Sequence, residues 1–331
     1  MRKKLSVFKE IRAMNFKILG TGSYVPENIV TNDDLAKIVE TNDEWITKRV
    51  GIKERHISVT DTTLDMGANA ALDALENSGV KAEELDLIVT ATISSDTACP
   101  SAACLIQSRI GANCMAFDVS AACAGFLFAL ETVSGFLERG RAKKALVVCT
   151  DRMSKLLDWS DRSTCVIFGD GAAAVVLEAC EEGYYDSVIH TKGGNDVINI
   201  PARDGCSPFY KNEPQHPYLF MNGQATFKFA VNSISHDVAE LFEKTGLTKD
   251  DIDVVIPHQA NKRIIDFAQP KTGIDREKWY VNIERYGNVS GASIPIALDE
   301  MNKKGLLKRG DKILFTAFGG GLSSGAVIIE W

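Results

Sequence analysis

Apolar runs alternate with amphipathic stretches along this chain, and the alternation predicts buried strands followed by helices. Residues 64–77 place Leu64 and Ala68 on one face of a predicted helix, and Gly79 follows as a stop signal. Residues 85–91 then form an apolar run of the length that a buried strand needs. Because strands and helices continue to alternate, we predict an α/β protein.

This pattern occurs twice. Residues 77–94 and 244–261 each contain a Gly that ends a helix, an acidic turn, and an Asp before a buried strand. We therefore predict two duplicated halves, residues 15–180 and 181–331, whose sites collect at the carboxyl ends of strands where the halves meet. Residues 1–14 are basic and lack a sustained apolar core, so we expect an N-terminal extension rather than a signal peptide.

The stretch MAFDVSAACAGFLF (115–128) joins a predicted strand to an uncharged helix. Cys123 lies at the junction, between small residues that let backbone or substrate approach the sulfur. A helix N-terminus favours the thiolate, so the position predicts a nucleophile. A lone cysteine in an apolar run is more often a small buried hydrophobe, and residues 115–128 taken alone do not exclude that alternative.

Two polar residues of the second half occupy comparable junctions. His258 follows a predicted strand at 252–256, and Asn288 follows a predicted strand near 280–283. A pseudo-twofold packing of the halves would bring both to Cys123 in one pocket. Taken alone, a histidine in this setting is more often a satisfied structural residue than a catalyst.

Composition narrows the classes of function. The 331 residues carry a formal net charge of −7, which argues against nucleic acid as a general partner. The eight cysteines form no CxxC pair, so we expect reduced thiols in a cytoplasm and no metal site. Apolar runs stay well short of the ~20 residues that a membrane span requires, so no membrane span is expected.

Five motifs occur in order: TNDEWITKRVGIKERH (41–56), DVSAACAGF (118–126), PHQAN (257–261), ERYGNVSGAS (284–293) and AFGGGLSSGA (317–326). In these motifs the chain resembles β-ketoacyl-acyl-carrier-protein synthase III, the initiating condensing enzyme of bacterial fatty-acid synthesis, from about residue 15 to residue 331. The resemblance implies a thiolase-like fold with duplicated halves in a layered αβαβα architecture. It also implies an acyltransferase that acts as a homodimer.

The resemblance implies a Cys-His-Asn site. Cys123 would attack an acyl-CoA primer, and the backbone N–H groups of Cys123 and Gly320 would hold the oxyanion. His258 and Asn288 would then donate hydrogen bonds to the thioester oxygen of malonyl-acyl-carrier protein as CO2 leaves. The enolate would attack the acyl group and give β-ketoacyl-acyl-carrier protein. Acyl-CoA is a substrate here, so no cofactor is implied.

Binding residues follow from the same resemblance. Trp45 and Arg162 would sandwich the adenine of CoA, with Arg49 on the phosphates. The resemblance implies a pantetheine tunnel lined by Gly223, Phe227 and Asn261. It also implies a basic rim that docks the acidic carrier protein, formed by Lys228, Lys262, Arg263 and Lys271. Without the resemblance, we would interpret Trp45 as an amphipathic side chain that packs over the hydrophobic core, and each basic side chain as an ordinary solvated charge.

One departure from the family pattern bears on the primer. Cys99 stands where relatives often have a phenylalanine or threonine that enters the acyl pocket of the partner subunit, and its small side chain predicts room for branched or longer primers. Two other functions remain open. One is a related Cys-His-Asn condensing enzyme of secondary metabolism, and the other is a non-catalytic scaffold that binds acyl thioesters.

Overall fold

A computed structural model describes residues 15–183, 185–201, 209 and 216–331, so the predicted extension 1–14 lies outside the described residues. The strands in chain order are β1 (Asn15–Tyr24), β2 (Ile29–Thr31), β3 (Glu54–His56), β4 (Leu87–Ala91), β5 (Met115–Val119), β6 (Lys144–Arg152), β7 (Asp170–Cys180), β8 (Tyr185–Thr191), β9 (Ile198–Asn199), β10 (Phe220–Met221), β11 (Val254–Pro257), β12 (Lys312–Gly319) and β13 (Ser323–Glu330). The α-helices are α1 (Asn32–Leu35), α2 (Asp43–Val50), α3 (Thr63–Ser78), α4 (Ala102–Ile110), α5 (Gly125–Glu138), α6 (Gly223–Thr245), α7 (Lys262–Thr272), α8 (Ile283–Tyr286) and α9 (Ser293–Lys303).

Local sequence fixes many of these boundaries. Thr62 begins α3 with a capping box, in which its side chain accepts the N–H of Asp65 and the Asp65 carboxylate accepts the N–H of Thr62. Gly79 ends the helix at φ +70°, a left-handed conformation that favours glycine. The helix predicted over 64–77 is therefore confirmed, with one residue added at each end.

The structure contradicts the strand predicted near 280–283. A single isolated bridge at Trp279 pairs with β11, and Ile283 already begins α8. The buried side chain of Gln259 explains the difference, because its Oε1 accepts the backbone N–H groups of Asn282 and Ile283, each at 3.2 Å. Those N–H groups are thereby turned away from the pairing that a strand requires.

The strands form two principal sheets of matching topology. The first has the order β1-β7-β6-β4-β5, and the second has the order β11-β12-β13-β8. In the first sheet β4 pairs parallel with β6, β6 antiparallel with β7, and β7 antiparallel with β1. In the second, β11 pairs parallel with β12, β12 antiparallel with β13, and β13 antiparallel with β8. The isolated bridge at Trp279 stands where β5 stands in the first sheet, so the predicted duplication is confirmed.

The helices separate into three layers around these sheets. Apolar side chains of α5 and α9 pack between the two sheets and form one core with both of them. On the outer faces, α3 and α4 cover the first sheet, and α6 and α7 cover the second. This is the predicted αβαβα architecture. The division of the halves at residues 180 and 181 stays a prediction.

Two further observations concern sequence expectations. Among the described residues, no helix combines the length and the hydropathy that crossing a bilayer requires. The cysteines that the structure describes are free thiols.

Candidate active site

A cleft of about 1540 Å³ is lined by residues from both halves of the chain. Cys123, His258, Asn288 and Gly320 all line it. Each is delivered by the end of a strand or by the turn before a helix: Cys123 follows β5 and precedes α5, His258 follows β11, and Gly320 follows β12. The topology thus brings together the residues that the sequence placed at separate junctions.

The backbone around Cys123 is held in an uncommon conformation. Ala122 has φ +47°, a value rare for a residue with a side chain, and Cys123 lies in the 3-10 turn that leads into α5. A Cβ on Gly319 would lie 2.8 Å from the Cys123 nitrogen, so only glycine lets the end of β12 pass this close. Among the described residues, the N–H groups of Cys123 and Gly320 donate to no backbone carbonyl. Both are therefore available to an oxyanion.

The protonation of Cys123 differs from the expectation. Burial raises the pKa of Cys123 to about 12, while the Ser290 hydroxyl acts to lower it and the Asp151 carboxyl acts to raise it. The sequence reasoning favoured a thiolate at the helix N-terminus, and this was wrong for the unliganded site because removal from water disfavours the anion more. The side chain of Cys123 is therefore a thiol at neutral pH.

His258 is buried and neutral. Its backbone N–H donates to Thr316 at 2.8 Å, and its Nδ1 lies 2.6 Å from the Ser293 hydroxyl, which also accepts the N–H of Gln259 at 3.4 Å. We assign the Ser293 hydroxyl as the donor to Nδ1, which places the proton of the neutral imidazole on Nε2. Burial lowers the pKa of His258 to about 3. Nε2 has no hydrogen-bond partner among the described residues, which leaves it as a donor for a substrate oxygen.

Asn288 is fixed by the first half of the chain. Its backbone N–H donates to Ile167 at 2.9 Å, and its carbonyl accepts the N–H of Gly169 at 3.1 Å. The side-chain Oδ1 accepts the backbone N–H of Ser290 at 2.8 Å. This contact commits the oxygen of the carboxamide and leaves its NH2 group as the donor for the cleft.

The mouth of the cleft carries the predicted CoA residues. The guanidinium carbons of Arg49 and Arg162 lie 5.3 Å and 5.1 Å from the centre of the Trp45 ring. Arg162 also donates from Nη1 to the carbonyl of Glu40 at 2.8 Å. In this conformation the Arg162 guanidinium stacks on the indole itself, so an adenine entering between the two must displace it.

Other predicted residues divide between the cleft and the surface around it. Gly223, Phe227, Asn261 and Arg263 line the cleft, and the Arg263 guanidinium carbon lies 5.8 Å from the centre of the Phe227 ring. Asn261 also caps α7 by accepting the N–H of Arg263 at 2.9 Å.

The remaining predicted residues do not line the cleft. Lys228 and Lys271 are exposed, and Lys262 is half-buried and pairs with Asp266 at 2.6 Å. Cys99 is exposed, and its role in the acyl pocket of a partner subunit stays a prediction.

Three residues of the site were missed from the sequence: Asp151, Ser290 and Ser293. The Asp151 carboxyl is fully buried beside Cys123 and accepts the N–H of Ile93 at 2.9 Å and the hydroxyl of Ser94 at 2.8 Å. A signal existed for both serines, which follow Asn288 within GNVSGAS. Asp151 offered no comparable signal, and the structure places it near the end of β6.

Known proteins of this architecture can now be compared. The sequence model described as 3-oxoacyl-[acyl-carrier-protein (ACP)] synthase III matches residues 117–193, and the model of its C-terminal part matches residues 242–331. The beta-ketoacyl-[acyl-carrier-protein] synthase III of Clostridium acetobutylicum is 51% identical over 95% of this chain and 98% of its own. The chain belongs to the 3-oxoacyl-acyl-carrier-protein synthase III family. The predicted family is thereby confirmed.

Solved structures of the 3-oxoacyl-acyl-carrier-protein synthase III family agree with the fold. That of 3-oxoacyl-[acyl-carrier-protein] synthase III from Aquifex aeolicus VF5 is 45% identical, covers 96% of this chain and 100% of its own, and has a TM-score of 0.89. A priming beta-ketosynthase from the R1128 polyketide biosynthetic pathway is 34% identical over 95% of this chain and 96% of its own, with a TM-score of 0.88. The same architecture thus occurs in an enzyme of a polyketide pathway.

Proposed function

We propose that this synthase III catalyses the decarboxylative condensation of an acyl-CoA primer with malonyl-acyl-carrier protein, the step that initiates fatty-acid synthesis. The products are β-ketoacyl-acyl-carrier protein, CoA and CO2. One observation carries the proposal: a thiol, a neutral imidazole with an unpartnered Nε2, and a carboxamide with an uncommitted NH2 group line the same cleft.

The first half-reaction forms the acyl-enzyme. The sulfur of Cys123 attacks the thioester carbon of acyl-CoA, and the oxyanion that forms is held by the N–H groups of Cys123 and Gly320. The intermediate collapses with loss of CoA, and the proton of the Cys123 thiol leaves with CoA as its own thiol. Because burial raises the pKa of Cys123 to about 12, these two N–H groups and the positive end of α5 must stabilise charge that develops only during attack.

The second half-reaction uses the other two side chains. Nε2 of His258 and the NH2 group of Asn288 donate to the thioester oxygen of the malonyl group, so that loss of CO2 leaves a stabilised enolate. The enolate carbon attacks the acyl group on Cys123, a carbon–carbon bond forms, and the cysteine sulfur is expelled and takes up a proton. A neutral His258 suits this role because it donates without itself requiring a counter-charge in a buried site.

Binding roles belong to the same proposal. Acyl-CoA would place its adenine against Trp45 after Arg162 has moved aside, with Arg49 on the phosphates and Gly223, Phe227 and Asn261 along the pantetheine arm. None of these steps needs a cofactor. The carrier protein would dock on the basic rim formed by Lys228, Lys262, Arg263 and Lys271.

We also propose a homodimer in the cytoplasm. Among the described strands β5 pairs with β4 alone, at the edge of the first sheet, and its first residue Met115 is exposed. An open strand edge with an exposed apolar side chain is a ready surface for pairing with a second copy. Cys99 would then reach the acyl pocket of the partner, as the family pattern implies.

Intact-mass measurement tests the function. Acetyl-CoA should add one acyl group to the full chain, and Cys123→Ala should abolish the gain while Cys104→Ala retains it. Malonyl-acyl-carrier protein should then remove the acyl group and yield β-ketoacyl-acyl-carrier protein. Absence of any acyl gain with acetyl-CoA, isobutyryl-CoA and longer acyl-CoAs would support the scaffold alternative instead, and an acyl group that malonyl-acyl-carrier protein fails to remove would refute the condensation.

A second candidate is a priming condensation in secondary metabolism, favoured by the likeness to the R1128 ketosynthase. The same measurement over acetyl-CoA, isobutyryl-CoA and longer acyl-CoAs gives the primer preference. If the small side chain of Cys99 leaves room in the pocket, branched or longer primers should load faster than acetyl-CoA. A strict preference for acetyl-CoA would contradict the role given to Cys99.

A further inference from the structure

A second cluster of titratable side chains lies away from the cleft, on the outer layer of the second half. His190 belongs to β8, and His236, Asp237 and Glu240 belong to α6. His236 and Glu240 are four residues apart and therefore share one face of the helix, and that face looks onto the edge strand β8. None of the four lines the catalytic cleft.

The atoms that could ligate a cation already lie close together. Nε2 of His190 is 2.7 Å from Oε2 of Glu240 and 3.9 Å from Oδ1 of Asp237. Nδ1 of His236 is 3.3 Å from Oδ1 of Asp237 and 3.6 Å from Oε2 of Glu240. A tetrahedral zinc site with bonds of about 2.0–2.1 Å separates its ligand atoms by about 3.3 Å. The four measured separations range from 2.7 to 3.9 Å and so bracket that value. The ligand atoms of His190, His236 and Asp237 all lie within 4.8 Å of one another, and Glu240 approaches both imidazoles.

Burial supplies a second, independent observation. The Asp237 side chain is 2% exposed, and its Oδ2 lacks a hydrogen-bond partner of standard geometry among the described residues. Its charge partners in the described part of the chain are the two imidazoles, with no lysine or arginine within ion-pair distance. A bound cation would provide a charge partner for this buried carboxylate.

The cluster is also accessible. The side chain of His236 is 69% exposed and that of His190 is 43% exposed, so a hydrated ion can enter from solvent. Two imidazoles with two carboxylates form a donor set that suits zinc and related transition metals rather than calcium or magnesium, which prefer oxygen alone. The Ser324 hydroxyl lies beside the Asp237 carboxyl and would orient it from the outer shell.

We propose that His190, His236, Asp237 and Glu240 form a binding site for a zinc-class divalent cation that clips α6 to β8. The proposal departs from the expectation, drawn from cysteine spacing, of a chain without a metal site. Strand β8 is also linked to β13 and to the residues just before it. His190 lies opposite Ser324 in β13, and beyond β8 the N–H groups of Lys192 and Gly194 donate to Leu322 and Gly321 at 2.7 Å and 2.9 Å. The metal would thus stabilise β8 and β13, next to residues 319–321, the three glycines that connect β12 and β13 close to Cys123.

Titration calorimetry with Zn2+ on the chelator-treated full chain tests the site. We expect one ion per chain, with affinity reduced by at least about tenfold in His190→Ala and His236→Ala, since even outer-shell changes cause losses of that size. His216→Ala, which removes an exposed histidine elsewhere, is the matched control and should bind as the unaltered chain does. Retained affinity in both His190→Ala and His236→Ala, or no binding to the unaltered chain, would overturn the proposal.

Two further readouts guard against binding to cysteine and against misfolding. Co2+ bound at this site should give visible absorption without the thiolate-to-metal charge transfer that a cysteine ligand produces, and a thiolate band would refute the assignment. Zn2+ should raise the thermal unfolding temperature of the unaltered chain and of His216→Ala. The same shift in correctly folded His190→Ala would equally count against the site.

Discussion

Asn288→Ala should separate the two half-reactions. The substitution removes the NH2 group that we assign to the malonyl thioester oxygen, while the acylation step relies on the N–H groups of Cys123 and Gly320. Loss of one oxyanion donor typically lowers a rate by ~10²–10³, about 2.7–4 kcal/mol of transition-state stabilisation. We therefore expect acylation at the rate of the unaltered enzyme and condensation slower by that factor.

The same change also costs stability. Oδ1 of Asn288 accepts the buried N–H of Ser290 at 2.8 Å, and a buried donor left unpaired costs about 1–3 kcal/mol. Asn282→Ala is a matched control, because it removes a buried Nδ2 that donates to Glu300 at 2.8 Å and does not line the cleft. Asn288→Asp keeps an oxygen for the Ser290 N–H while removing the donor, so it should lose condensation and retain more stability.

The assay follows each half-reaction in a single turnover. Acyl-enzyme is measured by intact mass after mixing with acetyl-CoA, and condensation is measured as β-ketoacyl-acyl-carrier protein formed when pre-acylated enzyme meets malonyl-acyl-carrier protein. Thermal unfolding of each variant sets the temperature at which all are folded. Equal loss of both half-reactions in Asn288→Ala, or a condensation defect of similar size in Asn282→Ala, would refute the role assigned to the carboxamide.

Three further predictions concern protonation and docking. Burial lowers the pKa of His258 from 6.5 to about 3, so its neutral form persists in the folded state and the condensation rate should not change with pH near 6.5. The free energy of unfolding should fall as the pH drops from 6.5 toward 3, because the unfolded chain then binds a proton that the folded chain does not. A change in condensation rate that titrates near 6.5 would contradict this. Ser290→Ala removes the hydroxyl that lowers the pKa of Cys123, so iodoacetamide should alkylate Cys123 more slowly at any one pH, as followed by mass; an unchanged rate would argue against the contact. Arg263→Glu should weaken turnover of malonyl-acyl-carrier protein at low salt, measured as a raised KM for the carrier; an unchanged KM would remove the docking role.

The sequence by itself determined the duplication and most of the order of elements, and it indicated the three side chains to which we assign the reaction. These follow from local rules: apolar runs of strand length, caps such as Thr62 and Gly79, and repeated Gly and Asp positions before a strand. Because a side chain at a strand end has a fixed place in an α/β fold, the junctions of Cys123 and His258 suggested one pocket, whereas Asn288 lines that pocket without the strand that was predicted before it.

Only the tertiary structure decided the electrostatics and the finer contacts. The thiol form of Cys123 depends on the water excluded by both halves, and the tautomer of His258 depends on Ser293, which lies 35 residues later along the chain. Likewise, the strand predicted near 280–283 does not form, because the Gln259 side chain accepts the backbone N–H groups of Asn282 and Ile283. His190 lies close to His236 only because β8 packs beside α6. Burial and hydrogen bonding are properties of neighbours in space, and a pattern read along the chain does not contain them.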